Sequence, residues 1–363
     1  MQRFGATKLI GRRVFLRATG AGFAASLLPS GGEALAGTSA VFASAYRDRA
    51  GAFGIALLSE DGAIVHRYAL PARGHDLVRQ PNGDMLVAFA RRPGTFAALF
   101  DLGRSREPRI MAAPSGRHFY GHGAFSADGR LFYATENDFE AARGVVGLYD
   151  ATDGFARIGE FDTFGTGPHD IALLPDGRTL VVANGGIETH PDYPRAKLNV
   201  PTMQPNLSFV DATTGDLIVC HALPPDLHKL SIRHLAIDGG GTVWFACQNE
   251  GDIAEPVPLI GRASMHSGAF ELTDLPEHAT ASLRGYVGSI AANRQTGQIA
   301  ISSPRGGVAF SFDPATLAIL DTRNAPDLCG IAAWAAGFRF SSGDGLFDTA
   351  RHDVGFDNHL AAL

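Results

Sequence analysis

The fold is decided by a stretch that recurs along the chain, Pro168-His169-Asp170-Ile171-Ala172-Leu173-Leu174-Pro175-Asp176-Gly177-Arg178-Thr179-Leu180-Val181-Val182. A short apolar strand leads into an Asp-Gly pair, and a second β-rich strand follows. The Asp-Gly pair supplies the positive φ that a tight hairpin needs. Repetition of such a unit predicts one repeat architecture rather than two unrelated domains.

The other copies of this motif extend over most of the chain. They begin at Gly74-His75-Asp76, Gly121-His122-Gly123, Arg233-His234-Leu235, Gly288-Ser289-Ile290 and Gly330-Ile331-Ala332, and the copy at Gly288 has lost the histidine. Further strands follow within each copy, which gives four strands per unit, the size of a propeller blade. The sequence therefore predicts an all-β propeller of four-stranded blades. Six inner strands can be counted, and a seventh blade is possible.

Two features depart from the regular repeat. Three strands near the N-terminus, at 41–46, 53–58 and 64–70, lack an inner strand. We expect them to complete the blade that opens at 331–334, because this would close the ring and hide the sheet edges. The second feature is a surplus at 185–206, rich in Pro, Asn and His, which predicts a loop inserted on one face.

Four histidines occupy the same position at the start of an inner strand: His75, His122, His169 and His234. Because inner strands surround the propeller axis, these imidazoles are expected to converge on one end of the channel. They could hold iron, copper or zinc, or bind an anion when protonated. To share one ion, their nitrogens must lie within about 4–5 Å of one another. Alternatively, each imidazole bonds the backbone of the next blade and locks the ring.

Ten more polar residues lie near strand ends and are candidate ligand-binding residues. They are Arg117, His118, Glu136, Asn137, Asn184, His190, Asn199, Arg233, Arg305 and His359. Polar loops over a rigid ring are common in binding sites, although turn chemistry is the alternative explanation. No catalytic residue is assigned, because no nucleophile elbow, phosphate loop, dinucleotide fingerprint or His-Glu-x-x-His motif occurs. The absence of a Cys-x-x-Cys-His motif argues against covalent haem.

The N-terminus predicts export. Gly11-Arg12-Arg13-Val14-Phe15-Leu16-Arg17 matches the twin-arginine (Tat) pattern, and the apolar stretch 18–28 and the small-residue site Ala34-Leu35-Ala36 follow. We expect residues 1–36 to be a cleaved Tat signal and residues 37–363 to be a single propeller domain in the periplasm. A basic tail or an uncleaved membrane anchor is the alternative.

Charge and cysteine content limit the partners. Removing residues 1–36 takes away five basic residues and one acidic residue, so the net charge of −6 becomes −10. A negative, unclustered surface argues against nucleic acid and anionic membranes. No other segment is long and apolar enough to insert into a membrane. We expect a monomer, in which Cys220, Cys247 and Cys329 form one disulfide with one thiol left over, or stay as buried thiols.

Several longer motifs carry a family resemblance. They are Gly116-Arg117-His118-Phe119-Tyr120-Gly121-His122-Gly123, Ala134-Thr135-Glu136-Asn137-Asp138, Ala183-Asn184-Gly185-Gly186-Ile187 with Thr189-His190-Pro191, Leu230-Ser231-Ile232-Arg233-His234, Ser303-Pro304-Arg305-Gly306-Gly307 and Asp357-Asn358-His359. At these residues the mature chain resembles a family of Tat-exported bacterial propellers classed as a domain of unknown function. The resemblance implies seven blades of quinoprotein- or YVTN-like repeats. It also implies gene neighbours that encode imelysin-type and di-haem thiol-oxidoreductase-like proteins, a setting suggestive of iron or other metal handling.

The leading hypothesis is a periplasmic binding protein for a transition metal or a small metal complex, accessory to an iron- or haem-related system. One alternative is a metal-dependent propeller enzyme of the lactonase or oxidoreductase type. Another is a scaffold that docks a periplasmic protein and has structural histidines. The groups at the channel mouth discriminate between them: imidazoles alone favour binding, imidazoles with carboxylates favour an enzyme, and apolar residues favour docking.

Overall fold

A computed structural model describes residues 40–103, 107–193 and 196–363. Within these residues, 28 strands form seven four-stranded antiparallel sheets. The described helices are α1 (Glu277–Ser282) and two short 3₁₀ segments, Val200–Thr202 and Pro225–Leu227. The strands are β1 (Phe42–Asp48), β2 (Phe53–Leu58), β3 (Ile64–Leu70), β4 (Gly74–Arg79), β5 (Met85–Ala90), β6 (Phe96–Asp101), β7 (Arg109–Ala112), β8 (Arg117–Phe125), β9 (Leu131–Asp138), β10 (Arg143–Asp150), β11 (Ala156–Asp162), β12 (Pro168–Leu173), β13 (Thr179–Asn184), β14 (Asn206–Asp211), β15 (Leu217–Ala222), β16 (Leu230–Ile237), β17 (Val243–Asn249), β18 (Ile260–Ala263), β19 (Phe270–Thr273), β20 (Ser289–Asn293), β21 (Gln298–Ser303), β22 (Val308–Phe312), β23 (Ile319–Asn324), β24 (Leu328–Trp334), β25 (Gly337–Ser342), β26 (Leu346–Phe347), β27 (Ala350–Arg351) and β28 (Val354–Ala362).

Each sheet is one blade of a β-propeller. Blades 1 to 6 take four consecutive strands each, from β4–β7 to β24–β27, and blade 7 has the order β28-β1-β2-β3. The innermost strands of successive blades contact one another in a closed circle that ends where β28 meets β4. The all-β propeller of four-stranded blades is confirmed, with seven blades.

Blade 7 corrects the predicted closure. The N-terminal strands do not complete the blade that opens at 331–334, because β24 has its own partners in β25–β27. They pair instead with the C-terminal strand, where Phe42 lies opposite Ala362 and Asp48 opposite Val354. The count of six missed β28 because Asp357-Asn358-His359 interrupts its apolar pattern. Those polar residues were assigned to a loop, whereas Asp357, Asn358 and His359 are buried within the strand.

Apolar side chains pack between neighbouring blades and fix the inner strands in place. Phe89 of blade 1, for example, contacts Phe119 and Phe132 of blade 2, with ring centroids 5.4 and 5.9 Å apart. The three cysteines are free thiols, and Cys220 is exposed. No helix in the described ranges is long and apolar enough to cross a membrane. The predicted signal, residues 1–36, lies outside the described residues, so its cleavage stays a prediction.

Candidate metal centre

The inner strands that carry histidines lose register with their partner strands at those histidines. β4, β12 and β16 each contain one extra residue relative to the adjacent strand. β8 contains two, since the step from Phe119 to Gly123 faces only the step from Glu136 to Ala134. β28 also contains two. Such β-bulges redirect side chains, and they are common beside functional sites.

The two inner strands without a histidine show what the bulge contributes. β20 pairs regularly along its length and has Ser289 near its start. β24 has a bulge of one residue, at Cys329. A bulge alone therefore does not define the site, but all five inner strands that contribute a histidine to the channel have one.

Five imidazoles gather in the channel. Four of them are the predicted set, and the fifth is His359 of β28, which the sequence analysis placed among the loop ligands. His75, His169, His234 and His359 form a ring, with neighbouring centroids 4.6–6.0 Å apart. His122 is nearly equidistant from the four, 4.9–5.5 Å from each centroid, and therefore lies close to the channel axis. The two extra residues in β8 explain why this imidazole reaches the axis.

Gly121 makes the approach of His122 possible. Its φ is +110°, and a Cβ on this residue would lie 2.6 Å from Cδ2 of His75. Any other residue type would therefore be strained at this φ and would collide with a neighbouring imidazole. The sequence Gly121-His122 is thus a local requirement of the cluster.

The spacing of the imidazoles suits a metal ion. Two groups of three, His75/His122/His359 and His122/His169/His234, each offer nitrogens that lie within 4.8 Å of one another. Two nitrogens that share one zinc ion lie at most about 4.2 Å apart, so at the upper end of this spacing the imidazoles would move together by a few tenths of an ångström on binding. His122 belongs to both groups, so an ion bound by either group would be coordinated by His122.

Several ring nitrogens of the cluster lack the hydrogen-bond partners that a structural lock would supply. Among the described residues, no ring nitrogen of the five bonds a backbone group, and the single hydrogen bond between them joins the Nε2 atoms of His122 and His75 at 3.2 Å. Both ring nitrogens of the buried His234 lack a hydrogen-bond partner, as do Nε2 of His359 and Nδ1 of His75, which lies 3.8 Å from Asp357. Because unsatisfied buried polar atoms cost free energy, the arrangement favours a ligand site over the lock.

Two carboxylates accompany the imidazoles. Asp76 and Asp170 lie 3.3 and 3.4 Å from Nδ1 of His122. They open onto a cavity of about 200 Å³ that is also lined by His234 and His359 and by residues further along the inner strands. We call this end of the channel the lower mouth. A carboxylate beside an imidazole fixes its tautomer and raises its basicity as a metal ligand.

Neither aspartate was among the candidate residues predicted from the sequence. Both directly follow a ring histidine, in Gly74-His75-Asp76 and in Pro168-His169-Asp170. The repeated His-Asp pair was the signal that could have found them.

Burial sets the protonation states. It lowers the pKa of His75, His169 and His234 well below 6.5, and neighbouring histidines add to this effect. It lowers the pKa of His359 to about 4. At neutral pH these imidazoles are therefore neutral, which is the form that binds metals.

The two aspartates shift in the opposite direction. Burial raises the pKa of Asp76 and of Asp170 to about 6. The pKa of His122 is lowered by burial, but the Asp170 carboxylate opposes this shift. These carboxylates can therefore exchange protons near neutral pH.

The remaining loop candidates divide into groups. Arg233 and Arg305 lie at the opposite end of the channel, the upper mouth, where the inner strands begin. Arg117 and Glu136 belong instead to an ion-pair network in blade 2: Glu136 is fully buried and accepts hydrogen bonds from Tyr149 (2.6 Å) and Arg157 (2.9 Å). Arg117 pairs with Asp138 and Glu160.

The other five candidates organise the inserted loop. His118 accepts a hydrogen bond from Asn137 (2.9 Å), which also donates to the carbonyl of Thr189. Asn184 donates to the carbonyl of Thr163 (2.8 Å). Asn199 bonds the backbone of Glu188 and Gly186. His190 lies at the edge of the loop, 3.8 Å from Glu140. The structure therefore does not bring these residues to the histidine cluster.

Seven closed blades around a histidine-lined channel define the molecule as a β-propeller of the repeat type. The chain belongs to the family described as "Protein of unknown function (DUF1513)", whose model matches residues 68–363. Among solved structures, it is similar to hydrazine synthase of Kuenenia stuttgartiensis at 15% identity, covering 72% of this chain and 70% of that chain with a TM-score of 0.53. This likeness shows a shared fold alone. The sequence matches no curated protein.

Proposed function

We propose that this propeller binds a transition metal ion, or a small complex of one, at the five-histidine cluster. One observation carries the proposal: two groups of three imidazoles share His122, and each places its nitrogens within 4.8 Å. Several of these buried nitrogens have no protein partner. Neutral imidazoles suit iron, copper and zinc, and the spacing does not select among the three.

The cluster would hold the ion through His122 and two neighbours. Asp76 and Asp170 would orient His122 through Nδ1, leaving its Nε2 on the side of His75. Side chains that orient a metal ligand in this way typically raise metal affinity by roughly 10- to 100-fold. The rigid inner strands supply the ligands, which favours a preformed site.

A metal-dependent enzyme is a second candidate, favoured by the carboxylates. The lower mouth combines imidazoles and carboxylates with apolar residues of the inner strands, such as Leu77, Ile290 and Ile331, and imidazoles together with carboxylates were the criterion for an enzyme. Asp76 and Asp170 have pKa values of about 6, so either could take a proton from a metal-activated water or substrate. Hydrolysis of simple lactones by the metal-loaded protein, lost in the Asp76→Asn variant, would favour this candidate.

The cellular setting is part of the proposal. The Arg12-Arg13 pair and the Ala34-Leu35-Ala36 site support Tat export to the periplasm, where the protein would serve an iron- or haem-related system. Changing both arginines to lysine is expected to abolish periplasmic accumulation. Normal export of that double variant would contradict the Tat assignment.

Metal titration tests the binding proposal. Copper(II), zinc(II) and iron(II) are titrated calorimetrically into the wild type, into His122→Ala and into a control, His266→Ala, in which an exposed histidine between β18 and β19 is removed. The His122→Ala variant is expected to lose about 100-fold or more in affinity, because both groups of three lose a ligand. The control is expected to match the wild type. Equal affinities in all three proteins would overturn the proposal.

A further inference from the structure

A second site lies above the histidines, at the upper mouth of the channel. Five arginines lie around it. Arg73 precedes the inner strand β4, Arg91 and Arg92 follow β5, Arg233 lies within β16, and Arg305 follows β21. Arg233 directly precedes His234. Positive charge therefore concentrates at one end of the channel in a chain whose net charge is −6.

The protein neutralises this charge only in part. Asp357 pairs with Arg73 and with Arg91 at 3.3 Å. Glu250 pairs with Arg233 at 3.0 Å and also with Lys197 of the inserted loop. Each carboxylate is thus paired with two cationic side chains.

Two of the arginines are not paired directly with a carboxylate. Among the described residues, Arg92 and Arg305 make no ion pair. Instead, Arg92 lies over the ring of Tyr120 at 5.9 Å, and Arg305 lies over the ring of Tyr286 at 5.1 Å. Positive charge is therefore in excess at this mouth.

A buried donor at the same place lacks a partner. Arg233 is only 8% exposed, and its Nε forms no hydrogen bond, although Nη2 donates to Glu250. Burial lowers the pKa of Arg92, and the positive charge of Arg233 lowers it further. Arg233 also contributes to the lowered pKa of His169. The arginines are thus close to one another and to the cluster, and a buried guanidinium donor is costly unless an acceptor reaches it.

We propose that the upper mouth is an oxyanion-binding site, and that the metal reaches the histidines as a complex with carboxylate or phosphate ligands. This inference rests on the proposed function. Guanidinium groups bind both kinds of oxyanion through paired N–H donors. A bare cation is repelled at this mouth, whereas an anionic complex presents oxygens to the arginines and the metal to the imidazoles below.

The two mouths would then have different roles. The upper mouth selects for negative charge on the incoming ligand. The lower mouth, with Asp76 and Asp170, attracts a bare cation instead. Comparing bare ions with oxyanion complexes therefore separates the two routes.

The test uses four probes: zinc alone, citrate alone, inorganic phosphate alone and ferric citrate. Each is titrated into the wild type, the double variant Arg92→Gln/Arg305→Gln and a control, Arg79→Gln, in which an exposed arginine at the far end of β4 is changed. The double variant is expected to weaken binding of ferric citrate and of at least one free oxyanion by about tenfold or more, because charged hydrogen bonds are lost. Its zinc affinity is expected to stay the same or to rise. The wild-type oxyanion affinity should also fall with added salt.

The outcomes separate this inference from the proposed function. Equal oxyanion affinity in the wild type and the double variant, or no oxyanion binding to the wild type, overturns the inference. If zinc binding is nevertheless lost in His122→Ala, the histidine site stands without the oxyanion site. If oxyanions bind through the arginines but no metal binds the cluster, the upper mouth stands as an anion site and the proposed function fails. Tighter binding of citrate than of phosphate would identify carboxylates as the preferred chemistry.

Discussion

Two groups of buried polar residues look alike in sequence and differ in structure. In blade 2 and the inserted loop, Glu136, His118 and Asn137 bond to protein partners at 2.6–2.9 Å. In the channel, His234 has no partner on either ring nitrogen, and Arg233 has none on Nε. Glu136, His118, Asn137 and Arg233 were selected on the same grounds, as polar side chains near strand ends, and His234 was selected as one of the four repeated histidines.

The difference separates residues that hold the fold from residues that are available to a ligand. When a buried polar atom forms a hydrogen bond to another protein atom, that bond offsets the free-energy cost of its desolvation. One without a partner does not, and it remains in a native structure where something else supplies the bond. Substitutions should therefore reduce stability in the first group and binding in the second.

The largest effect is expected for Glu136→Ala. This change leaves Arg157 and the Tyr149 hydroxyl without their buried acceptor, and removing one partner of a buried pair costs about 3–5 kcal/mol. Because Arg157 is partly exposed, the lower end of that range is expected. Urea denaturation measures the loss, and Glu140→Ala in the same blade serves as the exposed control, with a change within about 0.5 kcal/mol. Weakened metal binding at unchanged stability would move Glu136 into the ligand-binding group.

A smaller effect is expected for Asp170→Asn, and it should appear in binding. In the present structure the backbone N–H groups of Leu235 (2.9 Å) and of the adjacent Ile171 (2.7 Å) donate to the two oxygens of Asp170. The single amide oxygen of asparagine keeps the bond from Leu235 and loses the local one, so most of the stability is retained. It no longer supplies a negative charge beside Nδ1 of His122, and metal affinity is expected to fall about 10- to 100-fold. Calorimetric titration checks this against Asp192→Asn in the inserted loop. An unchanged affinity would show that the carboxylates do not support the cluster.

The smallest effect is a pH dependence of the metal-free protein. The pKa values of the cluster histidines are lowered in the folded state, so below pH 6.5 the unfolded chain takes up protons that the folded chain does not. Stability is then lost as the pH falls from 6.5 towards 4. Asp76 and Asp170 act oppositely, because their raised pKa values stabilise the folded state below about pH 6. Five histidines outweigh two aspartates, so a net loss in acid is expected.

The variant His234→Gln tests this account. It should make the pH dependence shallower by up to about 1.4 kcal/mol per pH unit, the contribution of one proton. Urea denaturation at pH 7, 6 and 5 measures the slope, with His228→Gln as the control. A slope identical to that of the wild type would mean that the pKa of His234 is not lowered in the folded protein.

The fold was largely predictable, because it depends on local patterns. Asp-Gly turns and the 47-residue spacing from His75 to His122 and on to His169 directly indicate repeated hairpins. The strand that was missed, β28, has polar residues in its centre. They face a channel rather than a core, so alternation of apolar residues could not detect the strand.

The site was predictable only in part. Its four repeated histidines were found because they share a position in the repeat. The central place of His122 depends on how many residues of β8 face β9, and such a register mismatch arises only when strands pair. Whether Glu136 or Arg233 has a bonding partner likewise depends on residues distant in sequence, so the chain alone could not separate fold-stabilising from ligand-binding candidates.

Anomalous X-ray diffraction from crystals soaked with copper(II) or zinc(II) tests the central claim most directly. The account predicts a strong peak in the channel, about 2.0–2.1 Å from a nitrogen of His122 and from nitrogens of two other cluster histidines. The same soak of His122→Ala crystals should give no peak there. Peaks confined to exposed histidines such as His266, with none in the channel of the wild type, would contradict the account.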